Sequence, residues 1–196
     1  MDYAIAQQLA AALLASLGLL LFIATWIDLK SHRIPNALVL LGILIGVLGN
    51  GLAPAGFGFN SEVLPGGLGW WMAFKGMGYG LMMMLPFYVL RAMGAGDVKL
   101  MAMVGAYVGP GTVIGVVVST FVIGGIMALV VAARSGELNR VLENVRWALF
   151  GFMMKSSTGQ ITNMSEGTAT SQIKLPYALA ISLGTLWWLA WQRMSG

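Results

Sequence analysis

The feature that most constrains this chain is a series of apolar runs, most of them close to the length of a bilayer crossing. Residues 4–27, 37–53, 70–90, 98–109, 112–133 and 175–192 are apolar with few interruptions, and short polar or Gly/Pro-rich connections separate them. About 20 apolar residues carry a helix across ~30 Å of hydrocarbon, and inside lipid the helix satisfies its own backbone groups. Composition agrees: 58% of the residues are hydrophobic and 9% charged, where a soluble domain carries about a quarter charged residues. The expected fold is all-α, a polytopic membrane protein with six transmembrane helices plus one cytoplasmic amphipathic interfacial helix. It is expected to form a single integral-membrane domain over residues 1–196.

The connections refine this expectation. The chain opens Met1-Asp2-Tyr3 without a basic leader region, and its first apolar run is too long for a cleaved signal peptide, so a retained span is expected. Pro35 disfavours helix at Ile34 and suits a new helix start. Gly42, Gly46 and Gly49 are spaced for close helix packing in lipid. Residues 54–69 are rich in Gly and Pro and read as a loop; Trp70 and Trp71 then mark an interface. The run 98–108 covers only ~17 Å at 1.5 Å per residue, so its helix begins earlier, or the bilayer thins, or Asp97 sits below the headgroups. Pro110-Gly111 reads as a turn. In 135–152, Leu138, Val141, Leu142, Val145, Leu149 and Phe152 recur at helical spacing between charged residues, as in an amphipathic interfacial helix. Residues 155–172 are dominated by Ser, Thr, Gly and Asn and are expected to be a mobile loop.

Charge sets the orientation. With the N-terminus outside, nine of the 11 Lys and Arg fall on the cytoplasmic side, and only Lys75 and Arg193 fall opposite. That bias places both termini on the non-cytoplasmic side of the inner membrane, and it explains a net charge of +4 without nucleic acid as a partner. The absence of cysteine and the single His exclude disulfides, thiolate zinc sites, Cys nucleophiles and multi-His metal centres. No metal or cofactor is expected.

The orientation has a consequence for chemistry. Asp28 closes the first span at its cytoplasmic end, and Asp97 opens the fourth at the same level, 69 residues later. The chain has three Asp in all, and the third is Asp2. Taken singly, each has a plain reading: Asp97 as the N-cap of a helix beginning at Val98, Asp28 as an interfacial acid. Together they suit peptide hydrolysis. One ionised carboxylate takes a proton from water as it attacks a carbonyl, while the other, protonated, donates to the carbonyl oxygen; close like charges share a proton in this way.

Gly94-Ala95-Gly96-Asp97 followed by Lys99 resembles the GxGD motif of type IV prepilin peptidases, a family of intramembrane aspartic proteases. Asp28 followed by Arg33-Ile34-Pro35-Asn36 resembles the segment carrying that family's other catalytic Asp, and Lys174-Leu175-Pro176-Tyr177-Ala178 is similar to the start of its last span. The resemblance covers nearly the whole chain. It implies that Asp28 and Asp97 are the catalytic pair, with either one as the base, and that Gly94, Gly96, Lys99, Arg33 and Asn36 position the substrate. It further implies a prepilin precursor as substrate, cut after a Gly between a short basic leader and the apolar helix of the pilin. Larger bacterial members carry a cytosolic region with paired Cys associated with N-methylation. This chain has neither, and so it resembles the small peptidase-only type associated with Flp pili and tight adherence.

Beside this, the residues have local readings. The two glycines suit a tight bend, and Lys99 suits snorkelling to lipid phosphate or holding the field of the acids. Met72, Met77, Met82, Met83, Met84, Met93, Met101 and Met103 suit core packing or an adaptable groove for apolar leader helices. Competing functions are an archaeal preflagellin peptidase of the same chemistry, a small membrane transporter and a non-catalytic assembly partner. A transporter would call for repeats and midplane acids, where this chain has both acids at one edge.

Overall fold

The computed structural model describes residues 3–31, 33–53, 67–90, 93–136 and 176–195, with side chains from Gln8 onward in the first segment. Among these residues all regular structure is helical: α1 (Tyr3–Ser31), α2 (Asn36–Leu52), α3 (Trp70–Val89), α4 (Ala95–Arg134) and α5 (Tyr177–Ser195). The amphipathic helix and polar loop expected over 135–174 lie outside the described residues apart from the turn at Ser135 and Gly136. Packing groups Met1–Gly124 with Pro176–Gly196 as one unit, and the site lies within it; a second unit comprises Gly125–Leu175. By length and composition Gln8–Ser31 and Ala95–Arg134 can each cross a membrane, and Asn36–Leu52 is a shorter apolar helix.

Local chemistry sets the helix ends. Pro35 is the N-cap of α2 with extended backbone (φ −62°, ψ 128°), and its carbonyl accepts from Val39 N–H at 3.3 Å. Lys30 Nζ lies 4.7 Å from the centre of the Trp26 ring. Small residues then let helices approach. A Cβ at Gly46 would lie 2.7 Å from the Tyr107 ring, one at Gly42 would collide with Met103, and one at Gly49 with Leu13. Gly42, Gly46 and Gly49 of α2 thus receive side chains of α1 and α4. Between α3 and α4 the approach is closer still: Gly76 meets the backbone of Gly105, and a Cβ at Gly80 would lie 2.6 Å from the Met101 carbonyl. Gly105 and Gly76 were not among the packing residues read from sequence.

The 40-residue element α4 contains a break. Gly109 has φ 78° and ψ 175°, a conformation that glycine adopts without the Cβ clash. Contacts give the direction of each half. Ser16 meets Tyr107 at 3.3 Å, while Leu20, one turn further along α1, shares the gap at Gly42 with Met103, one turn earlier in α4, so α1 and the first half of α4 run antiparallel. Asp28 contacts Ala178 and Thr25 contacts Ser182, so α1 and α5 are antiparallel too. The second half of α4 runs against α5, with Gly115 on Trp188 and Thr120 on Gly184. The two halves of α4 therefore fold back on each other at Gly109, one residue ahead of the turn expected at Pro110-Gly111, which is itself helical.

Asn50 completes that turn from α2. It is 1% exposed, and its Nδ2 donates to the carbonyls of Ala106 (2.8 Å) and Tyr107 (3.0 Å). The Ala106 carbonyl is the one a residue-110 amide would bond in an unbroken helix, and Pro110 has no N–H. The core centres on this hairpin, with Leu100, Met101, Met103, Val104, Val108, Val113, Val116 and Val117 packed with Leu17, Ala24, Met84, Ala178 and Ile181. The methionines divide accordingly: Met84, Met93, Met101 and Met103 are buried in packing, whereas Met72 and Met82 are exposed.

Candidate active site

Asp97 is held by the start of its own helix. α4 begins at Ala95, three residues before the Val98 start expected from sequence, which makes Gly94 the capping residue and Asp97 the third helical one. Asp97 N–H donates to the Gly94 carbonyl at 3.1 Å, and Asp97 Oδ2 accepts from Gly94 N–H at 3.1 Å. This is one half of a capping box, in which an acid at the third position reaches back to the cap amide; Gly94 has no side chain to return the bond. The expectation of Asp97 as N-cap is thus corrected: it caps from inside the helix. The earlier start lengthens the first half of α4, 95–108, to ~21 Å.

Asp28 is held by a different helix. It lies in the last turn of α1, and its Oδ2 accepts from Ala178 N–H at 3.3 Å. Ala178 is the second residue of α5, so its amide is one of the donors that a helix start leaves without an intrahelical partner. Pro176, just ahead, brings no N–H of its own, and its carbonyl accepts from Leu179 at 3.1 Å. Both acids are buried, Asp28 at 7% and Asp97 at 8% exposure. Two helix starts, with their unpaired amides and positive dipole ends, account for two carboxylates in so apolar a setting. The Asp28 charge acts on Asp97, and that of Asp97 acts on Tyr177, the first residue of α5. Three segments far apart in sequence thus meet at one end of the helices.

The remaining predicted site residues form a seam beside the acids. A Cβ at Gly96 would lie 3.3 Å from Ile34 Cβ, and one at Gly94 would lie 3.3 Å from Asp97 Oδ2. Lys99 Nζ donates to Asn36 Oδ1 at 3.0 Å, so the polar partner of Lys99 is the first residue of α2. Neither Gly94 nor Gly96 has positive φ; these glycines provide room for a carboxylate and for Ile34. Arg33 is exposed, and its carbonyl lies 3.2 Å from Ser31 Oγ. The Arg33–Asn36 and Gly94–Lys99 motifs are thus two sides of one contact.

Sequence reading missed the amide of Ala178 as the partner of Asp28, although Pro176-Tyr177-Ala178 was recognised as a helix start. It also missed Thr25 and Ser182, whose hydroxyls lie 2.8 Å apart behind Asp28. Among the described residues no group of three or more His, Cys, Asp or Glu side chains suited to a metal comes together.

Comparison with known proteins bears on this geometry. No curated protein and no solved structure matches the chain. A family model does: that of the type IV leader peptidase family matches residues 15–129, more than half of the chain, and the match includes both Asp28 and Asp97. The chain is an all-helical membrane protein among its described residues, a protease by family, and a member of the type IV leader peptidase family.

Proposed function

We propose that this leader peptidase is an intramembrane aspartic endopeptidase of the GxGD type, with Asp28 and Asp97 as its catalytic pair. Its substrate is a Flp-like prepilin, and the bond it cuts joins a short basic leader to the apolar pilin helix at the cytoplasmic face of the inner membrane. The observation that carries this reading is the convergence of two buried acids, 69 residues apart in sequence, at one end of the helices.

The chemistry needs no group beyond those acids and water. The ionised carboxylate removes a proton from water as its oxygen attacks the scissile carbonyl carbon, and the protonated carboxyl donates to the carbonyl oxygen. The tetrahedral diol then collapses: the C–N bond breaks, the nitrogen takes a proton, and a new carboxyl and a new amine leave. Amides at the starts of α4 and α5 keep each carboxylate oriented without using its whole proton-accepting capacity. Gly94 and Gly96 leave space at the substrate side, and Lys99, Asn36 and Arg33 border it.

The topology that fits this chemistry has six spans with both termini outside, residues 135–152 lying in the cytoplasmic interface, and the acids facing the cytoplasm. The basic residues support it, as does the reversal of α4 at Gly109. A prepilin then lies with its apolar helix in the bilayer while the scissile bond emerges at the level of the acids.

Coexpression with a prepilin, followed by gel mobility of the pilin, tests the mechanism. Wild type should remove the leader, whereas Asp28→Asn and Asp97→Asn should each leave it intact at unchanged membrane levels of the enzyme. Full cleavage by either variant sinks the two-acid mechanism.

A further inference from the structure

Behind the acids, the first turn of α5 is gripped twice by α1. Ala178 is fully buried. Its N–H donates to Asp28 Oδ2, while its carbonyl accepts from Ser182 Oγ at 2.8 Å and lies 3.4 Å from Thr25 Oγ1. The Thr25 and Ser182 hydroxyls are themselves 2.8 Å apart. Each hydroxyl has one proton to give, and that fixes the direction of the chain. If Ser182 donates to the Ala178 carbonyl, its lone pairs are free to accept from Thr25, and both 2.8 Å contacts are used. The reverse order would leave the Thr25 proton on the 3.4 Å contact. Donation therefore runs from Thr25 to Ser182 to the Ala178 carbonyl, and from the Ala178 amide to Asp28.

Thr25 stands three residues before Asp28, so the two side chains lie on one face of α1. The hydroxyl pair holds α5 where its second amide meets the Asp28 carboxylate. Without that pair, the 3.3 Å contact between Asp28 and the Ala178 amide is left to resist sliding or rotation of α5 on α1 together with apolar packing, and in lipid apolar contacts give little preference for one register.

We infer that Thr25 and Ser182 are positioning residues for leader cleavage, acting through the backbone of Ala178 to hold the Asp28 carboxylate opposite Asp97. This rests on the reading of Asp28 as catalytic. Neither hydroxyl touches the reacting atoms, so the effect falls on turnover and not on substrate binding. Interhelical hydroxyl bonds in a bilayer are worth enough to shift the ratio of docked to undocked states by about 3- to 20-fold.

The test compares Thr25→Val, which keeps the side-chain volume, with Ser182→Ala, Thr25→Ser and the Thr25→Val/Ser182→Ala double variant. Ser16→Ala is the control, since Ser16 makes a hydroxyl contact with Tyr107 elsewhere on α1. Cleavage of a purified prepilin in detergent or liposomes gives kcat and KM, and hydrogen–deuterium exchange reports the Ala178 amide. Thr25→Val and Ser182→Ala should each lower kcat about 3- to 20-fold with KM unchanged and speed exchange at Ala178. The double variant should be no worse than the poorer single one, because the hydroxyls act in series. Thr25→Ser should behave as wild type, and Ser16→Ala should change neither reading. Wild-type kcat in Thr25→Val beside an inactive Asp28→Asn overturns the positioning role alone, as does an equal loss in Ser16→Ala or a loss that Thr25→Ser fails to restore. Full cleavage by Asp28→Asn overturns the catalytic reading itself, whatever happens at position 25.

Discussion

At the scale of single residues, the glycine before Asp97 sets how freely its carboxylate can sit. A Cβ on Gly94 would lie 3.3 Å from Asp97 Oδ2, closer than ordinary van der Waals contact. Gly94→Ala therefore pushes on the carboxylate while leaving the backbone unstrained. A displacement of a few tenths of an ångström should lower kcat about 3- to 10-fold, with membrane levels of the protein unchanged; kinetics and immunoblots together check this. Gly96→Ala should lower kcat less, since its Cβ would meet Ile34 at 3.3 Å and not a carboxylate. Sequence alone identified both glycines as special without showing what stands opposite them. Helix begins between the two, and their missing Cβ atoms leave room for the Asp97 carboxylate and for Ile34.

At the scale of elements, two positions on α3 separate helix propensity from helix contact. A Cβ at Gly76 would strike the backbone of Gly105, which has no rotamer by which to yield, whereas one at Gly78 meets nothing within 4 Å. Gly76→Ala should lower stability by about 3 kcal/mol, the upper end of overpacking costs. Gly78→Ala should be neutral or stabilise by up to about 1 kcal/mol through better helix propensity. Melting in detergent distinguishes them. The α4 hairpin offers a polar counterpart. Asn50→Leu keeps the bulk but leaves the Ala106 and Tyr107 carbonyls without their donors, which should cost about 2–4 kcal/mol. A reversal near Pro110 was legible, because proline cannot supply an amide, although the glycine that takes positive φ is Gly109 and not the Gly111 of the expected turn. The Asn50 partner was not, since nothing in a single polar residue of an apolar helix says which neighbouring carbonyls lack hydrogens.

At the scale of the whole molecule, the chain contains no cysteine, so single introduced thiols report sidedness directly. Arg33→Cys, in the exposed connection ahead of α2, should react with an impermeant maleimide only when the cytoplasmic face is accessible. Gly111→Cys, exposed just past the α4 turn and with open space around it, should react only from the opposite face. Were α4 one continuous crossing, position 111 would lie within the hydrocarbon and stay unlabelled from either side. Labelling of both positions from the same face would overturn the topology proposed here.

What the amino-acid sequence determined by itself was the helical, membrane-embedded class and the two acids that make chemistry plausible. Both are one-dimensional quantities: the length and apolarity of a run decide whether it can leave water, and a charge amid such runs stands out wherever it occurs. Tertiary structure decided how those acids are held. Asp28 takes its amide from Ala178, 150 residues away, and Lys99 takes its acceptor from Asn36, 63 residues away. Such partners depend on which helices are neighbours and in what register. That follows from glycine-sized gaps and the α4 turn acting together, and no local pattern of residues encodes it.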